Sequence, residues 1–243
     1  MFSPQDHIVQ ENIEQELSQL GFSIEKSNAQ SLASFLNDHF ANFDIFSFVV
    51  KIDGILGSHC LKSANKKVII QYEPPRLKIS YVEDGLRVAF ERSFIKQNGE
   101  VDVYHEFFSL PKSSQNRGIA REVLKVSIQQ YVNVKANKIF LNAGLDNGGY
   151  TWAKCHFYAT NRKEVEKILS KAENMLEPAQ FNPIKRIFDN HYAKHSTGSP
   201  FPMIKWAEVP YMESVLIGTN WAGVLDLRNT QQFSNFIDYV LRR

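Results

Sequence analysis

Cysteine is nearly missing from this chain: there are two in 243 residues, Cys60 and Cys155, far apart and without metal-ligand spacing. That excludes a disulfide framework and a zinc ribbon, and the pair reads as reduced structural thiols. Long apolar runs are missing too, and none approaches the roughly 20 residues of a membrane span. Met1-Phe2-Ser3-Pro4-Gln5-Asp6 has neither the basic nor the apolar segment of a secretory leader. A cytoplasmic protein without a membrane partner is the expectation. Charge of one sign is also lacking, because 28 Lys and Arg against 26 Asp and Glu leave a net charge of +2. The basic doublets Lys66-Lys67, Lys185-Arg186 and Arg242-Arg243 read as solvated surface, so no nucleic-acid partner is expected. No internal repeat or low-complexity segment breaks the chain.

What is present is apolar and aromatic. A hydrophobic share of 43% with 22% charged residues describes a folded chain with a sizeable core. Val9, Ile13, Leu17 and Leu20 are spaced for one helix, which Gly21 ends, and Leu32, Phe35, Leu36 and Phe40 for a second. From Phe43 the reading changes to strands: Phe46–Ile52, then Lys67–Tyr72, with Pro74-Pro75 interrupting pairing. Leu77–Val82 and Leu86–Phe90 flank Glu83-Asp84-Gly85, a hairpin signal, and Asn98-Gly99 turns the chain again.

The most informative stretch follows. Val101, Val103, His105, Phe107 and Ser109 alternate with Asp102, Tyr104, Glu106 and Phe108 as in a mostly buried strand. Next come Gln115-Asn116-Arg117-Gly118-Ile119-Ala120 and a helix whose apolar stripe is Val123, Leu124, Ser127, Ile128, Tyr131 and Val132. Lys138–Ala143 then reads as another strand. A glycine that lets the backbone approach a ligand, followed by unpaired amides of a helix start, suits a pyrophosphate. Close packing at a strand-to-helix turn explains Gly118 and Ala120 equally well.

Gln115-x-x-Gly118-x-Ala120 resembles the Gln/Arg-x-x-Gly-x-Gly/Ala motif of the GCN5-related N-acetyltransferase superfamily. The resemblance spans residues 46–158 and is most specific over 101–143. It implies an α+β fold with a mixed, mostly antiparallel sheet and flanking helices, preceded by N-terminal helices and followed by a C-terminal extension. In domain terms it implies a helical segment over 1–42, a core over 43–160, and residues 161–243 completing the same domain. It implies acetyl-CoA as co-substrate, with the pyrophosphate on the backbone of Asn116, Arg117, Gly118, Ile119 and Ala120, and with Leu110, Gln115 and Asn142 completing the cofactor contacts. It implies an amine acceptor, either a small molecule or a protein.

Departures from the pattern bear on the chemistry. The slot where the superfamily often has a general-acid tyrosine holds Trp152, and its usual glycine is His156. Tyr150 is the substitute acid if Gly148-Gly149 displaces the helix, and packing under the sheet is the competing role of Tyr150, Trp152, Phe157 and Tyr158. Glu106 is the candidate base, on a strand face shared with Tyr104 and Phe108, with desolvation raising its pKa. A solvent-facing glutamate is the alternative.

Val165, Ile168, Leu169, Ala172 and Leu176 mark a further helix, and Ile184, Ile187 and Phe188 another. His191 and His195 stand four apart, but the Ser196–Ser199 composition argues for a polar loop over 191–202 and no acidic ligand accompanies them, so no metal is expected. Val215–Leu227 reads as a strand pair or a strand and turn, with Asp226 a turn acceptor and Thr230 capping a closing helix. Two functions fit: an acetyl-CoA-dependent N-acyltransferase, or a non-catalytic binding module of the same fold.

Overall fold

The computed structural model describes residues 12–26, 29–60, 66–83, 89–144, 147–196 and 198–242. Val9, Asp84-Gly85, Leu86 to Val88, Leu145 and Asp146 lie outside the described residues, as does the side chain of Cys60. The chain forms two units, Met1–Asn137 and Lys138–Arg243.

The first unit packs helices on a five-stranded sheet. Helix α1 (Ile13–Gln19) and strand β1 (Phe22–Lys26) precede α2 (Leu32–His39) and α3 (Ile45–Cys60). Strands β2 (Lys66–Glu73), β3 (Arg76–Glu83), β4 (Ala89–Gln97) and β5 (Glu100–Ser109) form an antiparallel meander, and β1 adds to β2 in parallel. Helix α4 (Ile119–Asn133) closes the unit. Leu77, Ile79, Tyr81, Phe90, Phe94, Val101 and Val103 are buried on the sheet, while Phe35, Phe48, Val123 and Tyr131 are buried on the helices. Phe94 makes edge contacts with Phe40, Phe43, Phe48 and Tyr131.

Three local readings change. The run Phe46–Ile52 is helical, as part of α3. Ile45, Phe48, Val49, Ile52 and Leu56 are buried at 7% exposure or less, a spacing that only a helix puts on one face. Asp44 fixes the start: its Oδ1 accepts the Ser47 amide at 2.9 Å, and its own amide donates to Gln130 Oε1 of α4 at 2.9 Å. Pro74-Pro75 joins β2 and β3 as a tight turn, with pairing intact up to Glu73 and Arg76. On α4, Val132 is 43% exposed and so leaves the apolar stripe.

The second unit holds strand β6 (Ala136–Asn142, whose first two residues belong to the first unit), helix α5 (Gly148–Lys154), β7 (Tyr158–Ala159), α6 (Arg162–Met175) and α7 (Pro178–Lys194). There follow β8 (Phe201–Pro202), the short helices α8 (Ile204–Ala207) and α9 (Met212–Leu216), β9 (Ala222–Asp226) and α10 (Thr230–Leu241). β9 lies antiparallel between β6 and β7, and β7 pairs with β8. Trp206, Trp221, Phe157, Phe201 and Phe236 are fully buried.

Here too the boundaries move. α7 runs on through Lys194, so His191 lies on a helix and packs its ring on Phe201 at 5.2 Å rather than in a loop. Val215 and Leu216 end α9, leaving one strand where a pair was an option. Asn229, not Thr230, caps α10, its Oδ1 accepting the Gln232 amide at 3.0 Å. Asp226 is the turn acceptor, taking the Arg228 amide at 2.9 Å.

Candidate functional site

Strand β5 leads through Leu110, Pro111 and a 3-10 turn (Lys112–Ser114) into the start of α4. Gln115 closes this loop on itself, its Nε2 donating to the Leu110 carbonyl at 3.0 Å. Asn116 (φ 60°) and Gly118 (φ 82°) both adopt the left-handed region. Gly118 occupies the N-cap position, and no side chain caps the helix there. The Gly118 carbonyl takes the amides of Arg121 and Glu122, while helix geometry offers no partner to the amides before them. Asn116, Arg117 and Gly118 are exposed, and nothing lies within 4 Å of where a Gly118 Cβ would sit. Ile119 is buried, at 2% exposure. The loop is thus exposed at the positive end of a 15-residue helix, with two left-handed residues of the kind that form amide nests and with Arg117 exposed beside it.

Glu106 differs from its sequence reading. β4 and β5 pair Arg92 with His105 and then Glu91 with Phe107, so Glu106 is an extra residue, a β-bulge. The bulge resets the alternation. Glu106 and Phe107 are both exposed, and Phe108 turns back against Phe90 with ring centroids 6.1 Å apart. Glu106 therefore does not share a face with Phe108, and its side chain is not buried. Its carboxylate instead ion-pairs with Arg76 Nη2 at 3.0 Å. Arg76 also donates to Ser93 Oγ at 2.8 and 3.1 Å, so the guanidinium is held from both sides.

In the second unit, Asn142 ends β6, exposed and paired in register with Ala222. Tyr150 is half-buried on α5. Burial first, and then the Glu213 carboxylate, push its hydroxyl above the usual tyrosine range. Trp152 packs edge-on against Phe157 at 5.4 Å. His156 has φ 64°, the left-handed conformation that favours glycine, at the position where the sequence motif has one. Gly149 serves close approach rather than unusual dihedrals: an added Cβ would collide with Thr219 Oγ1 and the Leu216 carbonyl. A polar hollow of about 240 Å³ beside His156 is lined by Lys154, Glu208, Asp238 and Arg242. Among the described residues, no group of three or more His, Cys, Asp or Glu side chains is placed to hold a metal. No described helix is long and apolar enough to cross a membrane.

No protein-family model matches the sequence, and no curated protein matches it. Among solved structures, the chain is similar to a GNAT family acetyltransferase from Elizabethkingia anophelis with acetyl-CoA bound, at 15% identity over 63% of this chain and 77% of that one, with a TM-score of 0.30. It is also similar, at 12% identity and a TM-score of 0.28, to a chain of the NatC complex bound to Gag peptide and CoA. That match takes in 34% of this chain and spans 57% of the other. TM-scores of this size assign neither a fold nor a residue role.

Proposed function

We propose that this chain is an acetyl-CoA-dependent N-acyltransferase that moves an acetyl group directly to an amine. The observation that carries this is the Gln115–Ala120 loop, where an uncapped 15-residue helix meets two left-handed residues on an exposed surface. Such a nest takes a pyrophosphate on backbone amides with the helix dipole behind it. Leu110, Gln115 and Asn142 complete the proposed cofactor contacts.

In the proposed reaction the amine nitrogen attacks the thioester carbonyl carbon. Its proton passes to the Glu106 carboxylate, directly or through water, as the carbon–sulfur bond breaks. The departing thiolate takes a proton from Tyr150, giving an amide and the free CoA thiol. Tyr150, held above its ordinary range, stays protonated at neutral pH and so has a proton to give.

The test is release of CoA thiol from acetyl-CoA across a panel of small amines, lysine peptides and peptides with free N-termini. Glu106→Gln should lower kcat about 10²-fold or more and remove the ionisation that limits the rate at low pH, and Tyr150→Phe should lower kcat without weakening acetyl-CoA binding. Full turnover in the double variant contradicts the assignment. Tight CoA binding with no turnover in the wild type makes the chain a non-catalytic module.

A further inference from the structure

Arg92 is the most demanding side chain in the first unit. It is 0% exposed on β4, on the core-facing side that Phe90 and Phe94 share, and no described carboxylate is ion-paired with it. Burial pulls its pKa below the ordinary arginine range, while the Tyr131 hydroxyl pushes the other way.

Arg92 Nη1 donates to the Glu91 carbonyl at 2.9 Å and to the Phe107 carbonyl at 3.1 Å. Those two residues are the pair that resumes the ladder after the extra residue Glu106. The guanidinium carbon sits 4.5 Å from the Phe90 ring centroid and 5.8 Å from that of Phe108, the residue that the bulge returns to the core. A regular ladder continued from the Arg92–His105 pair would set Glu91 opposite Glu106 and Phe90 opposite Phe107. That would carry Phe107 into the core and Phe108 out of it, because a one-residue slip exchanges the faces. The bond to Glu91 is local to β4, whereas the bond to the Phe107 carbonyl crosses to β5 and belongs to the bulged register.

We infer that Arg92 is a positioning residue for the surroundings of Glu106: its guanidinium locks the β4–β5 bulge and thereby keeps Phe107 beside Glu106 on the open face of the sheet, where the regular register would turn Phe107 into the core. Its consequence for turnover rests on the acyltransferase reading, whereas the register lock does not.

The test uses the full chain with Arg92→Met, which keeps the length without charge or donors, and Arg92→Lys, which keeps charge without the planar fork. Amide hydrogen exchange is read at Glu106, Phe107 and Phe108 against residues 77–81 of β3 as an internal reference. The expected result is exchange at least about ten-fold faster at the bulge in Arg92→Met and a smaller acceleration in Arg92→Lys, with the reference unchanged. Wild-type exchange at the bulge in both variants overturns the inference, and so does wild-type exchange in Arg92→Lys alone if Arg92→Met does not fold. In the acetyl-transfer assay Arg92→Met should lower kcat, not the KM for acetyl-CoA, and Arg92→Met with Glu106→Gln should be no slower than Glu106→Gln alone. Losses that multiply in the double variant also overturn it. A wild type without turnover removes the acyltransferase reading and leaves the exchange result to decide on Arg92.

Discussion

Gly118→Val separates the strain of the loop from its proposed role. At φ 82° a β-branched residue sits in a region that costs an L-residue about 1–2 kcal/mol. No atom lies within 4 Å of the new Cβ, so backbone strain is the whole folding penalty. In a chain of this size that lowers Tm by roughly 2–8 °C, at about 2–4 °C per kcal/mol. Gly118→Asn should cost less, because asparagine tolerates the left-handed region. The ligand effect is separate and larger. A ligand at 100 times its Kd stabilises by about 2.7 kcal/mol, more than the strain. Thermal melts with and without saturating acetyl-CoA should therefore show a folded Gly118→Val variant that has lost the ligand shift, because its methyl groups stand where the phosphates approach. A valine variant with the wild-type ligand shift would refute the reasoning, and an unchanged melting temperature without ligand would refute the strain.

Two further outcomes follow from the packing. Burial first, and then the Arg92 charge, hold His105 well below the ordinary histidine range. Below about pH 6.5 the unfolded chain thus binds more protons than the folded one, and stability is full above that pH and lost as the pH falls toward the folded value. Urea titrations at pH 7 and pH 5 should show that loss, and His105→Gln should reduce it; His156 and His191, also lowered, keep part of the slope in the variant. Asp44→Ala removes the cap of α3 and should cost about 1 kcal/mol in urea denaturation, within the roughly 0.5–2 kcal/mol seen for such caps.

The sequence carried the β4–β5 hairpin, because Asn98-Gly99 is a local signal, but not the β2–β3 turn at Pro74-Pro75. It carried the loop as well, since Gln115 to Ala120 between a strand and a helix are local too. Helix α3 was misread because Phe46–Ile52 is apolar enough for either period, and only extending the window to Leu56 and noticing Asp44 three residues before Ser47 separates them. Strand β1 escaped notice because Phe22–Lys26 is short and its pairing with Val68–Tyr72 is non-local. The bulge had no local mark at all. It rests on a bond from an arginine 14 residues upstream of Glu106, and strict alternation through β5 gave the wrong faces for Phe107 and Phe108. At His156 the backbone is left-handed at φ 64°, a conformation that no residue type in the sequence marks.

Calorimetric titration of the wild-type chain with acetyl-CoA, alongside Gly118→Val, tests the central claim most directly. The account predicts one site, saturable binding in the micromolar range that weakens as salt screens the pyrophosphate, and loss of that binding in the variant. No heat and no thermal shift for the wild type at saturating acetyl-CoA would contradict it.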